Sequence, residues 1–207
     1  MIKIATSILA AKDRIASIKE LNKTDTDYIH IDVMDNIFVP NYQLPVEEVN
    51  QLGDYSKKLF DIHLMMEDPI SFIEKLSIHN IDCITIHLEI NENINNIINL
   101  IKAKGYNVGI AIKPNTDLNL IDKYINYIDK IIIMSVEPGY GGQKFITKTI
   151  DRIKTIKDKR NDIIIEVDGG INNETIKNIK NTVDIAVVGT YITNSNNYQE
   201  AINNLKN

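Results

Sequence analysis

Two histidines and two aspartates stand near the ends of apolar runs in this 207-residue chain and could bind a metal ion together. His30 and Asp32 lie in one run, His63 lies in the next, and Asp168 ends a third. Two imidazoles and two carboxylates suit one divalent ion per chain, of zinc, iron, cobalt or manganese, and carboxylates can also move protons. Each residue alone would be a hydrogen-bonded polar side chain, but the four together favour a metal site.

Glycines follow three apolar runs and suggest a place for an anion. The segment 138–142 (PGYGG) follows one run, Gly169 and Gly170 follow another, and Gly189 ends the last. Glycine lets the backbone approach a phosphate closely, although the same residues also make ordinary turns. We expect phosphate binding by these segments and a mobile lid over residues 138–142.

Short apolar runs alternate with amphipathic stretches along the whole chain, which is typical of βα units around a parallel sheet. Eight such units, about 25 residues apart, predict a single (β/α)8 TIM barrel over residues 1–207. The predicted strands are 2–8, 27–34, 58–65, 82–88, 107–113, 129–136, 162–168 and 184–189. The predicted helices are 12–21, 46–52, 69–78, 91–104, 118–126, 147–158, 173–181 and 197–206.

Strand periodicity explains how the four candidate ligands would meet. In the second predicted strand, His30, Asp32 and Met34 share one face and apolar residues take the other. The third and seventh strands repeat this pattern with His63 and Asp168. These faces become polar toward the carboxyl ends of the strands, where the active sites of such barrels lie.

Methionines and two further histidines have less certain roles. Met34, Met65 and Met134 each fall near a strand end on the inward face and would form a soft wall beside the metal. His87 ends the fourth predicted strand facing inward, where it either supports the site or is a satisfied interior histidine. His79 follows a helical stretch and is expected at the surface.

The composition argues against several kinds of partner. A net charge of −5 argues against a nucleic-acid partner, which needs a basic face. No apolar stretch approaches the roughly 20 residues of a membrane helix, so no membrane partner is expected. Cys83 is the only cysteine, and no secretory leader is visible at the start of the sequence. A reducing, cytoplasmic location is therefore expected.

Four segments resemble motifs of the ribulose-phosphate 3-epimerase family. They are 30–41 (HIDVMDNIFVPN), 61–65 (DIHLM), 134–143 (MSVEPGYGGQ) and 167–171 (VDGGI). The resemblance runs in order from Ser7 to the last predicted strand. It implies a barrel of the ribulose-phosphate-binding type. The implied activity is interconversion of D-ribulose 5-phosphate and D-xylulose 5-phosphate in the pentose phosphate pathway, carried out by a homo-oligomer on a small sugar phosphate.

The resemblance also implies a role for each matching residue. The metal ligands would be His30, Asp32, His63 and Asp168, with Asp32 and Asp168 as the acid/base pair. The methionines of the metal-site wall would be Met34, Met65 and Met134. Substrate would be bound by Ser7, His63, Gly139, Tyr140, Gly141, Gly142, Asp168, Gly169, Gly170, Gly189 and Thr190.

Several positions depart from the family pattern without removing a ligand. Ala10 stands where serine is common, Asn36 replaces a glycine, Tyr140 replaces phenylalanine, and Thr190-Tyr191 replaces Ser-Ala. These departures concern the choice of substrate. An epimerase for allulose 6-phosphate therefore stays open as an alternative, and so does a non-catalytic sugar-phosphate sensor on the same barrel.

Overall fold

A computed structural model describes residues 1–207 and contains one nine-stranded sheet. The strands are β1 (Lys3–Ser7), β2 (Tyr28–Asp35), β3 (Tyr42–Gln43), β4 (Leu59–Met65), β5 (Ile81–His87), β6 (Asn107–Ile112), β7 (Lys130–Met134), β8 (Ile164–Asp168) and β9 (Ile185–Val188). Eight parallel strands follow the order β1-β9-β8-β7-β6-β5-β4-β2, and pairing of β1 with β2 closes them into a barrel. The predicted (β/α)8 barrel is thus confirmed.

Helices cover the outside of this barrel. The α-helices are α1 (Arg14–Leu21), α2 (Val46–Gly53), α3 (Pro69–Lys75), α4 (Ile94–Ala103), α5 (Thr149–Lys159), α6 (Thr190–Thr193) and α7 (Tyr198–Lys206). Asp68 caps α3 by accepting the backbone N–H of Ser71, and Pro69 takes the first turn, where its missing donor does no harm.

Two predicted helices were wrong in type and length. The stretches 118–126 and 173–181 form only 3-10 helices, at Leu118–Lys123 and Thr175–Asn178. In the second stretch the buried anchors Ile176 and Ile179 stand three residues apart, which is the period of a 3-10 helix. Asparagine and β-branched residues in these segments also favour an α-helix weakly. The short antiparallel β3 and the one-turn α6 were not predicted.

The sheet register brings the polar inward residues to one level of the barrel. Asp32 of β2 pairs with His63 of β4, and Met134 of β7 pairs with Asp168 of β8. Two residues further along β2 and β4, Met34 pairs with Met65. Because the strands are parallel, these side chains meet near their common carboxyl ends.

The other strand faces pack against the helices. Ile29, Ile31 and Val33 of β2 belong to one large buried apolar cluster that includes helix residues such as Val49 and Ile101. Cys83 is buried, and burial raises the pKa of its thiol. No helix is both long enough and apolar enough to span a bilayer.

Candidate active site

The structure brings His30, Asp32, His63 and Asp168 into one group whose ligand atoms all lie within 4.8 Å of one another. Asp32 Oδ1 lies 3.4 Å from both His30 Nε2 and His63 Nδ1. His63 Nδ1 is 3.7 Å from Asp168 Oδ2. Three different strands therefore deliver four donor atoms to one point at the carboxyl end of the barrel.

Two ring nitrogens in this group are buried and have no hydrogen-bond partner in the chain. They are His30 Nε2 and His63 Nδ1, and both rings are fully buried. A buried polar atom without a partner costs about 1–3 kcal/mol, so such atoms call for a missing partner. Two free imidazole nitrogens beside two carboxylates match the donor set of a divalent transition metal. The residues present therefore fit a metal ion.

A buried ionic network lies behind His30. Its Nδ1 is 2.8 Å from Asp61 Oδ2, while Lys130 forms ion pairs with both Asp61 and Glu166. Burial disfavours the charged lysine, but the carboxylates outweigh it and raise the pKa of Lys130 well above its usual range. Burial would likewise raise the pKa of Asp61, but the charge of Lys130 and the hydrogen bond from His30 hold it below its usual range. The contact with Asp61 fixes the ring of His30 so that Nε2 points into the site.

The surroundings of the two candidate acid/base residues shift their pKa values in opposite directions. Burial would raise the pKa of Asp32, but the two imidazoles beside it, chiefly His30 and then His63, outweigh burial and hold this pKa well below its usual range. Ser7 Oγ also donates to Asp32 Oδ2 at 2.7 Å. Burial and the negative charge of Asp32 raise the pKa of Asp168 to about 7. Environments that separate two carboxylates in this way are typical of an acid and a base working together.

His63 has a second partner on the side away from the metal group. Its Nε2 lies 2.9 Å from His87 Nε2, and His87 Nδ1 lies 3.0 Å from Glu89 Oε2. Burial lowers the pKa of His87 to about 4, so this ring is neutral at pH 7. His87 thus touches a candidate metal ligand directly, whereas His79 is exposed as expected.

A cavity of about 310 Å³ opens above the four candidate ligands. This volume is at the small end of the roughly 300–1,000 Å³ usual for ligand sites. His30 and His63 are fully buried beneath it. The expected residues that line it are Ser7, Asp32, Met34, Met65, Met134, Gly139, Tyr140, Gly141, Gly142, Asp168, Gly169, Gly170, Gly189 and Thr190.

Gly170 occupies a position that only glycine can take without disturbance. Its φ is +64°, and a Cβ there would lie 2.5 Å from the backbone nitrogen of Phe145. The backbone after β8 therefore runs directly against the segment that follows the lid. Gly189, at the end of β9, lies beside Ser7.

The segment 138–142, which we call the lid, is bound to the loop 36–41 by two hydrogen bonds. The hydroxyl of Tyr140 donates to the carbonyl of Pro40 at 2.6 Å, and the side-chain amide of Asn41 donates to the carbonyl of Gly139 at 2.8 Å. Asn36 begins this loop with φ +61°, a conformation that asparagine tolerates better than most residues. The substitution of glycine by Asn36 is thus compatible with the fold.

Sequence reasoning did not name several residues of the site. Gln143 and Ile171 line the cavity and lie inside the motifs that carried the resemblance, so the motifs themselves were the available signal. Ala10 and Tyr191, noted only as departures, also line it. Lys130 and Glu89 gave no comparable signal, because their partners come from other strands and loops.

Solved structures of other proteins share this barrel fold. The chain is similar to 3-hexulose-6-phosphate synthase from Salmonella typhimurium, with a TM-score of 0.72, 16% identity, and coverage of 99% of this chain and 96% of that one. It is also similar to KGPDC from Streptococcus mutans, with a TM-score of 0.74, 13% identity, and coverage of 100% and 96%. At such low identity these neighbours establish the barrel fold alone.

The sequence defines the family. Residues 3–193 match the ribulose-phosphate 3 epimerase family. The chain is 35% identical to ribulose-phosphate 3-epimerase of Bacillus subtilis (strain 168), covering 100% of this chain and 99% of that protein. It is 34% identical to ribulose-phosphate 3-epimerase of Synechocystis sp. (strain ATCC 27184 / PCC 6803 / Kazusa), covering 100% and 94%. The chain therefore belongs to the ribulose-phosphate 3-epimerase family.

Proposed function

We propose that this protein interconverts D-ribulose 5-phosphate and D-xylulose 5-phosphate by moving a proton at C3. The observation that carries this proposal is the pair Asp32 and Asp168, two carboxylates at one cavity with their pKa values pushed apart. Epimerisation next to a carbonyl needs one group to remove a proton and another to return one to the opposite face. The family's name and the small cavity agree with a pentulose phosphate.

Asp32 and Asp168 would share the two proton transfers. Without a bound ion, Asp32 is the ionised member of the pair and can accept a proton, while burial and the charge of Asp32 raise the pKa of Asp168 so that it can hold a proton and supply it. Ser7 orients Asp32 through its hydroxyl, which donates to Oδ2. Each carboxylate acts on one face of the sugar, and the roles exchange in the reverse direction.

His30, Asp32, His63 and Asp168 would hold one divalent metal ion per chain, of zinc, iron, cobalt or manganese. A bound ion would stabilise the negative charge that develops on the C2 and C3 oxygens as the proton leaves. Met34, Met65 and Met134 form an apolar wall at this level of the cavity and limit the access of water to it.

The phosphate would be bound on the opposite side of the cavity. Gly169 and Gly170 follow β8, and Gly189 and Thr190 follow β9, the two places where barrels of this type hold phosphate. Their backbone N–H groups can approach an anion because no Cβ intervenes at the glycines. The lid residues 138–142 would then cover the sugar and exclude water.

Three further properties belong to this proposal. Residues 1–207 would act as a single domain, and the protein would work in the cytoplasm, where the buried Cys83 stays reduced. It would assemble as a homo-oligomer, and exposed apolar side chains such as Ile37 and Tyr42 offer area for contact between copies. Measurement of the mass in solution tests the last point, and a monomer would contradict it.

A turnover assay tests the proposed activity. The kcat/KM for D-ribulose 5-phosphate should exceed that for D-allulose 6-phosphate under equal metal loading. One extra carbon would displace either the phosphate or the C2 and C3 oxygens, and about 1 Å of misplacement can cost 10²-fold in rate. A preference for the hexulose phosphate would overturn the substrate, and no turnover of either would favour the sensor.

Metal content tests the proposed centre separately. Protein purified without chelator should contain close to one divalent ion per chain, and His63→Ala should lose it. His79→Ala is the matched control, since His79 is exposed and distant from the ligand group. Full metal content in His63→Ala would overturn the ligand set.

A further inference from the structure

We infer that His87 and Glu89 form a relay that decides which nitrogen of His63 carries the proton, and that this relay sets how tightly the chain holds its ion. His87 and Glu89 are positioning residues in this inference, because they act through His63 and do not touch the substrate. The inference rests on the metal centre proposed above.

The geometry of the relay is a line of three side chains. His63 Nε2 and His87 Nε2 are 2.9 Å apart, and His87 Nδ1 and Glu89 Oε2 are 3.0 Å apart. Both rings are fully buried, and their centroids are 5.0 Å apart. Phe38 also packs against His87, with 4.7 Å between ring centroids. The rings thus have little freedom to turn away from each other.

The proton positions follow from the carboxylate at the end of the line. An ionised glutamate only accepts hydrogen bonds, so His87 must present Nδ1–H to Glu89. A neutral imidazole with its proton on Nδ1 has an acceptor at Nε2, so His63 must present Nε2–H to His87. The lone pair of His63 is then on Nδ1, the atom that faces Asp32 and Asp168.

His30 reaches the same result by a different route. Asp61 takes the proton on His30 Nδ1, which leaves the lone pair on Nε2. His30 therefore faces the proposed metal position with Nε2, and His63 faces it with Nδ1. Each ring needs a hydrogen-bond acceptor for the proton on its other nitrogen. For His30 that acceptor is a carboxylate in direct contact, whereas for His63 the carboxylate acts through a second ring.

The orientation of Glu89 is itself fixed by two groups that donate hydrogen bonds to the same carboxylate oxygen. Its Oε1 accepts the backbone N–H of Lys113 at 2.8 Å and the hydroxyl of Thr116. Arg152 of α5 holds this loop by donating to the carbonyls of Thr116 and Lys113 at 2.9 and 3.1 Å. The backbone N–H of Lys113 can donate a hydrogen bond but cannot accept one. The side-chain atom that faces it must therefore be an oxygen, both in glutamate and in a glutamine at this position.

This constraint makes Glu89→Gln informative, because glutamine has almost the same volume as glutamate and changes only which hydrogen bonds the side chain can make. The glutamine oxygen must face the N–H of Lys113, so its NH₂ group must face His87 Nδ1. His87 must then accept this hydrogen bond at Nδ1, so it carries its proton on Nε2 and donates it toward His63 Nε2. His63 is driven to carry its proton on Nδ1, on the side of the ion, and must give up either the ion or its hydrogen bond to His87.

The test is zinc affinity, measured by competition with a chromophoric chelator. Glu89→Gln should bind zinc about 10–100-fold more weakly than the unchanged chain, as is usual when an outer partner of a ligand is lost. His87→Phe, which keeps a ring but removes the acceptor without adding a donor, should weaken zinc by less. Glu92→Gln is the matched control, because Glu92 is exposed three residues further on, and should bind zinc as the unchanged chain does.

A nuclear magnetic resonance measurement on the ¹⁵N-histidine-labelled chain gives a second result that does not depend on zinc. The chain has four histidines, so their ring nitrogens can be assigned individually. We expect a nitrogen–nitrogen coupling across the His63–His87 hydrogen bond, with the proton on His63 Nε2. In Glu89→Gln the proton should lie on His87 Nε2.

The possible outcomes separate the relay from the metal centre. If the unchanged chain binds no zinc, the metal centre is refuted and the coupling still decides the relay. If it binds zinc and Glu89→Gln binds equally well with the same proton position, the relay is refuted and the metal centre stands. Weaker binding by Glu89→Gln with the proton moved to His87 supports both.

Discussion

Lys130 and Glu166 form a buried ion pair inside the barrel, with 2.5 Å between Nζ and Oε2. Lys130 also pairs with Asp61, which in turn contacts His30. One cation thus compensates two buried carboxylates directly below the proposed metal centre. Removing one member of a buried pair costs far more than removing an exposed pair, because a charge is left without its partner.

Lys130→Met should therefore destabilise the protein by about 3–5 kcal/mol at neutral pH. Asp61 and Glu166 then lack their cation, and burial raises the pKa of both above the unfolded value. A raised carboxylate pKa lets the folded state bind more protons, so stability falls as pH rises. Urea unfolding should show a larger loss near pH 8 than near pH 5. Lys154→Met, at an exposed lysine, should lose little at either pH. An equal loss at the two pH values would contradict this account.

Asp32→Asn and Asp168→Asn should each lower the rate of epimerisation by at least about 10²–10⁴-fold while the fold persists. Each amide would remove one of the two groups that we propose to move the C3 proton. One of the variants is expected to exchange that proton with deuterium from solvent without inversion, because the other carboxylate remains. Asp158→Asn serves as the control at an exposed aspartate. Metal content must be measured in parallel, and wild-type turnover in either variant would refute the two-carboxylate mechanism.

Tyr140→Phe should loosen the lid without changing the chemistry. The variant loses the hydrogen bond to Pro40 and keeps the one from Asn41 to Gly139. A partly exposed hydrogen bond is worth roughly 0.5–1.5 kcal/mol, so amide exchange at Gly141 and Gly142 should accelerate by about 2–10-fold. Tyr127→Phe, at an exposed tyrosine away from the cavity, should leave the exchange unchanged. Exchange at the wild-type rate in Tyr140→Phe would show that the hydroxyl does not restrain the lid.

Gly170→Ala should cost more stability than Gly105→Ala. Both glycines have positive φ, so alanine strains the backbone at each by about 1–2 kcal/mol. A Cβ at Gly105 meets nothing within 4 Å, whereas at Gly170 it meets the backbone of Gln143 and Phe145 within 3 Å. Gly170→Ala should also raise KM for the sugar phosphate, because the loop after β8 must shift. Urea unfolding and steady-state kinetics check both parts, and equal behaviour of the two variants would contradict them.

Much of this architecture was predictable because it depends on local periodicity. The alternation of His30, Asp32 and Met34 with apolar neighbours marks the inward face of β2 whatever the rest of the chain does. The same reasoning placed His63 on β4 and Asp168 on β8. Parallel strands then bring these ends together without further information.

Other features were not predictable, because they depend on distant partners. Lys130 begins β7, where a lysine is normally a solvated strand end, and only the closed barrel places it between Asp61 and Glu166. Glu89 lies in a loop and gains its role from Lys113 on the next βα connection. The 3-10 segments were missed because three-residue and four-residue spacings of apolar side chains are hard to distinguish over so few turns.

The pairing of β1 with β9, which we call the seam of the barrel, determines when the site can form. β1 lies between β2 and β9, so strands from the two ends of the chain are hydrogen-bonded neighbours. Ser7 on one side of this seam and Gly189 on the other both line the cavity. During synthesis the barrel cannot close until β9 has left the ribosome, and the unpaired edge of β1 is exposed until then. Catalytic competence and protection from aggregation are therefore acquired together, at the last strand, because the contact that completes the sheet also completes the cavity.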